Sequence, residues 1–151
     1  MGFLELSRKL NLLREQLLPI LEKVLNDLSD DIEQLNKNQL LDNKLIDGSL
    51  LPNYAERTYS FKKEKGTYIS PAGRWALLDY GDFYNKFLVK AINGELILDS
   101  EDGKTGIIEG MVSQRTGKQN MIFGLTDESK VVLFKLMYEP FRNEVLKFLE
   151  Q

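Results

Sequence analysis

The residues of this chain that could do chemistry are carboxylates. Asp79 and Asp82 bracket Tyr80-Gly81, and Glu101 and Asp102 stand together before Gly103. Two carboxyl groups held roughly 5 to 9.5 Å apart in one cleft would suit glycoside hydrolysis. Aspartate beside glycine is more commonly a turn residue, its side chain accepting backbone hydrogen bonds, and that reading outweighs the catalytic one at both places. The 151 residues include no histidine and no cysteine. An imidazole base, a zinc site of the usual ligands, and Ser-His-Asp or Cys-His machinery are therefore excluded within one chain. Gly103-Lys104-Thr105-Gly106 has the ending of a phosphate loop, but that motif needs a glycine where Leu98 stands. Asp99, Glu101 and Gly103 have the opening spacing of a calcium loop, but its twelfth position is Gly110 rather than a bidentate glutamate. No catalytic residue, cofactor or metal ligand is expected.

The elements around these residues read as one α+β domain covering 1–151. Residues 1–41 form a helical segment, 42–126 a strand-containing core, and 127–151 a C-terminal helix. Leu6, Leu10, Leu13, Leu17, Leu21, Val24, Leu28, Ile32 and Leu35 recur by threes and fours, the spacing of one helical face. This predicts one long helix, bent near Pro19 or restarted there, with a second break near Ser29. A straight helix of about 40 residues would span about 60 Å, too long for a compact domain, so it folds back or packs on another molecule. Asp47-Gly48 marks a turn, and 54–66 reads as a short helix stopped by Gly66 or as an exposed arm. Phe87, Val89 and Ala91 then alternate with Leu88, Lys90 and Ile92, and Asn93-Gly94 predicts a hairpin returning through Glu95–Asp99. Both faces of that hairpin are apolar, so a covering layer is expected on each. Residues 105–116 read as a helix. Thr126, followed by Asp127 and Glu128, caps the last helix, which Pro140 should kink.

Net charge is −3, from 20 basic and 23 acidic residues. The absence of a basic stripe argues against a nucleic-acid surface. No apolar run is long enough for a membrane span, and neither a signal peptide nor a myristoylation motif is evident, Leu6 standing where the latter needs Ser or Thr. Lys62, Lys63 and Lys65 form the one basic cluster, a solvated face or an interaction arm reaching a neighbour's acidic surface. Tyr80, Phe83, Tyr84 and Phe87 read as core aromatics rather than a ligand cage. Trp75, Phe123 and Leu125 join Phe83, Tyr84 and Phe87 as core or subunit-contact residues. Asp79, Gly81 and Asp82 form a structural turn that sets the exit angle of the following strand, with Gly81 supplying a positive φ.

Several landmarks occur in order: Ile46-Asp47-Gly48, Pro52-x-Tyr54, Thr58, Lys63, Gly66, Leu78-Asp79-x-Gly81-Asp82-Phe83-Tyr84-x-x-Phe87, a hairpin, and Ile122-Phe123-Gly124-Leu125-Thr126. This series, over about residues 46 to 126, resembles the tailed-phage virion morphogenesis proteins of the tail-completion or head–tail joining group. Tyr80 stands where those proteins usually carry threonine. The resemblance implies a non-catalytic α+β subunit, made in the host cytoplasm and found in the virion. It also implies assembly into a homo-oligomeric ring, commonly a hexamer, beside connector, tail-tube or terminator proteins, with no nucleic-acid or membrane contact. The alternatives are a carboxylate-based phage glycan hydrolase and a small adaptor that binds a host protein through its N-terminal helix.

Overall fold

The computed structural model describes residues 2–79 and 81–151, so the Tyr80 part of the expected turn lies outside the described residues. The fold is α+β and mostly helical. Its element order is α1 (Phe3–Asp27), α2 (Ser29–Leu41), α3 (Glu56–Lys65), α4 (Asp82–Asn85), β1 (Phe87–Ile92), β2 (Glu95–Ser100), α5 (Thr105–Thr116) and α6 (Asp127–Glu150).

Neither internal proline ends a helix. Pro19 lies within α1 and Pro140 within α6, so the one long helix expected through Pro19 is found and neither proline starts a new helix. Both prolines are exposed, so the carbonyl that each leaves without an N–H partner can be hydrated. The break comes instead at Leu28, where ψ turns to 14°. Hydrogen bonds continue on either side of it, from Leu28 N–H to Val24 O and from Ile32 N–H to Leu28 O, each 3.0 Å. The long N-terminal segment is thus two helices joined by one irregular residue.

β1 and β2 pair antiparallel from Phe87↔Ser100 to Ile92↔Glu95. Asn93 and Gly94, at φ 52° and 78°, form the two-residue turn that suits the strand twist. The pairing alternates, so Ala91 points its N–H and C=O away from β2. Asn26 of α1 meets both groups, accepting from Ala91 N–H at 2.8 Å and donating to Ala91 O at 2.9 Å. One side-chain amide therefore takes the place of a third strand. α2 repeats the device. Gln39 donates to Gly124 O at 3.2 Å and accepts from Thr126 N–H at 2.7 Å. Asn36 donates to Ile122 O at 3.0 Å, and Asn43 to Trp75 O at 2.9 Å. These amides satisfy irregular backbone that would otherwise be buried without partners.

The core has two parts. Phe83, Tyr84 and Phe87 gather Leu40, Leu45, Leu51, Val112 and Ile122 around them, with Phe123 packed alongside. Phe83 meets Phe87 edge to face at 5.0 Å between ring centroids, an arrangement that the ring quadrupoles favour. Leu125 belongs to the second part, with Ile32, Leu133 and the inward strand residues Val89, Leu96 and Leu98. On the outer face of the hairpin Ile92 and Ile97 stay exposed. α1 and α6 run side by side as a two-helix arm, tied by Lys9 Nζ to Leu149 O and by Lys23 to Glu144.

Candidate functional site

Trp75 through Asp79 has no regular secondary structure, yet its backbone is closely held. Trp75 N–H donates to Pro52 O at 2.8 Å. Asn43 takes Trp75 O, the Tyr84 hydroxyl takes Ala76 O, and Lys62 Nζ takes Leu78 O at 3.2 Å. Between these anchors Leu77 sits at φ 57°, a left-handed conformation unusual for a bulky side chain. Such strain costs on the order of 1–3 kcal/mol and persists where the surroundings over-determine it. Gly81 follows at φ 90° and leads into α4, so the glycine of the expected turn does adopt a positive φ. Asp82 opens the first turn of α4 and is exposed.

The held segment forms the floor of a groove of about 460 Å³ between α3 and α5, within the size range of ordinary binding clefts. Trp75, Leu77, Leu78, Ile108 and Met111 supply apolar surface, while Lys62, Asp79 and Arg115 supply charge. Trp75 is therefore half-buried groove wall rather than fully buried core. The Arg115 guanidinium lies 6.0 Å from the Trp75 ring centroid. It pairs with no carboxylate among the described residues.

Lys62 corrects the expectation of a three-lysine arm. It is 7% exposed and donates to Tyr68 O at 3.1 Å, to Leu78 O and to the Asp79 carboxylate. All three of its N–H groups are thereby used, so Lys62 is a buried strut linking α3 to the Leu78-Asp79 corner. Lys63 and Lys65 do face solvent. The signal that separates them is their place on α3, since Lys62 falls on the side that carries Thr58 and Ala55 into the groove. The Tyr84 hydroxyl donates to Ala76 O, and the Tyr54 hydroxyl is buried without a hydrogen-bond partner among the described residues. Burial pushes the ionisation of both phenols upward.

One carboxylate of each pair is held in the fold, while Asp82 and Glu101 are exposed. Asp79 is held by Lys62. Asp102 accepts from Lys104 N–H at 2.9 Å and faces Lys86 at 3.3 Å; the backbone hydrogen bond and that cation hold its carboxyl below the usual range. Thr105, at the apparent phosphate-loop ending, turns its hydroxyl back onto Ser100 O and Asp102 O rather than outward. Among the described residues no group of three or more acidic side chains could hold a metal ion. A second hollow beside the start of α6 contains Asp47, Asp127, Glu128 and Lys130. There Lys118 and Ser49 hold the Asp47 carboxyl well below the usual range.

The remaining prominent feature is uncovered apolar surface. Phe3 and Leu4 at the tip of α1 are 84% and 83% exposed, and Phe134 and Tyr138 of α6 are 66% and 65% exposed. Phe3, Leu6 and Leu10 lie on the same side of α1 as the packed residues Leu13, Ile20 and Val24. The apolar seam of the arm thus runs on past the end of α6. No helix among the described residues is long and apolar enough to cross a membrane. No family model, curated protein or solved structure matches the chain.

Proposed function

We propose that the chain is a non-catalytic structural subunit of a tailed-phage virion, joining or completing the head–tail region as a ring of copies. The observation that carries the assembly part is the uncovered apolar surface along the two-helix arm. Exposed large apolar side chains in this number favour an interaction surface. The commitment of Asp79 to Lys62 and of Asp102 to Lys86 and the Lys104 N–H favours the same reading over a hydrolase. The phage context rests on the ordered landmarks from Ile46 to Thr126 and on the turn at Gly81. Sedimentation velocity of the full chain over a wide concentration range tests the assembly part. Rings or concentration-dependent oligomers are the expected result. A monomer at every concentration, with no association with connector or tail-tube proteins, counts against the reading. Turnover of peptidoglycan by the purified chain would replace it with the hydrolase alternative.

A further inference from the structure

We infer that the open edge of β2 docks an extended segment of another protein, one in which basic residues flank a short apolar stretch. Ala91 stands opposite Leu96, and Val89 opposite Leu98. These are the pairs that exchange no hydrogen bond with each other, so Leu96 and Leu98 point their N–H and C=O groups away from β1. On the β1 edge Asn26 meets the corresponding groups of Ala91. On the β2 edge the groups of Leu96 and Leu98 have no backbone partner among the described residues. The edge closes only at Ser100, whose N–H donates to Asp99 at 2.7 Å and whose C=O accepts from Thr105 at 3.2 Å. Two donors and two acceptors in line are what an added strand pairs with.

The side chains beside this edge select the strand. Glu95, Ile97 and Asp99 alternate onto the outer face and are exposed. Neither carboxylate pairs with a cation among the described residues. An antiparallel strand bonded to Leu96 and Leu98 sets one residue opposite each of these three. Basic residues at its two ends and an uncharged one between them complement Glu95, Asp99 and Ile97. Its other two residues face inward beside Leu96 and Leu98, which are half-buried against the second part of the core, and these should be apolar. The covered edge shows the same match, since β1 sets Lys90 opposite Ile97 between the two acids. A second copy of β2 is the poorer occupant. Paired antiparallel through both open residues, it would set Glu95 of each copy opposite Asp99 of the other, and like charges directly opposite destabilise. The site is therefore separate from the apolar arm and does not depend on ring assembly.

The test titrates the full chain with a capped peptide, Lys-Val-Thr-Val-Lys between glycines, and follows amide exchange by NMR. Exchange at Leu96 and Leu98 should slow by about tenfold or more at saturating peptide. The same peptide with Glu in place of both Lys should bind about tenfold more weakly at low salt. Glu95→Lys, a change at an exposed residue, should remove that preference. N-methylation of the two valines, whose N–H groups would bond to the edge, should abolish binding, while N-methylation of the central threonine should leave it. No binding of the lysine peptide at millimolar concentration would overturn the inference. Equal binding of the valine-methylated peptide, without protection at Leu96 and Leu98, would reduce it to charge attraction and overturn it as well. Protection of these two amides without peptide, rising with protein concentration, would show that a second copy holds the edge and would overturn it in that direction.

Discussion

Lys62 illustrates how little a residue's type says about its role. Its neighbours Lys63 and Lys65 are solvated, while its own ammonium is enclosed by two carbonyls and the Asp79 carboxylate. Lys62→Met should cost about 1.5–3 kcal/mol, because the carbonyls of Tyr68 and Leu78 lose a charged donor. Lys63→Met and Lys65→Met should stay within about 0.5 kcal/mol. Urea midpoints of the three variants check this. Tyr84 is the other pivotal side chain. Its buried hydroxyl holds Ala76 O, and burial raises its ionisation. A raised folded value means that the stabilising contribution is complete below the ordinary phenol range and falls as pH rises above about 10, where the unfolded chain ionises first. Tyr84→Phe should cost about 1–3 kcal/mol at neutral pH by leaving that carbonyl unpaired. It should also flatten the alkaline limb of a melting-temperature profile.

At the scale of elements, the helices do hydrogen-bonding work that strands perform in larger sheets. A hairpin alone is marginal in water, and this one is stabilised at its β1 edge by Asn26 and on its inner face by the second core cluster. Gln39 does for the Gly124–Thr126 corner what Asn26 does for β1. Gln39→Leu should therefore cost about 1–3 kcal/mol despite the added apolar surface, since Gly124 O and Thr126 N–H lose their partner. Amide exchange would locate the effect: protection at Thr126 and in the first turn of α6 should fall more than protection in the hairpin. The close approach at this corner also explains Gly124. A Cβ there would lie 3.0 Å from Ile46 Cγ2, at a backbone φ of 153° that disfavours side chains.

For the whole molecule, charged contacts lie within the arm, at Glu144 and Lys23, and within the body, at Asp102 with Lys86 and Asp47 with Lys118, and acid should weaken all of them. Glu144 is held below the usual range by Lys147 and then by Lys23. Asp102 is held down by the Lys104 backbone N–H and by Lys86, and Asp47 by Lys118 and Ser49. Depressed folded values give stability that is present above the unfolded carboxyl range and lost as pH falls through the folded values. Melting temperature should thus hold from neutral pH to about 5 and decline below about 4. Added salt should change it little at neutral pH, since these groups are mostly at the surface. Repulsion between acidified copies should also weaken any oligomer, which sedimentation at low pH would register.

Local sequence determined the features that local physics controls. The hairpin at Asn93-Gly94, the helix over 105–116, the Thr126 cap and the stop at Gly66 follow from turn chemistry, periodicity and capping, all of which act within a few residues. The aromatic core of Phe83, Tyr84 and Phe87 was legible for the same reason. The groove was not, because its walls come from α3, the Trp75-Asp79 segment and α5, brought together only by folding. Nor could a lysine run disclose that its first member is buried, or a stripe of leucines that asparagine and glutamine beside it would cap strand and loop backbone. The proline effects went the other way: tertiary packing set Pro19 and Pro140 on the solvent side, where a missing hydrogen bond does not end a helix.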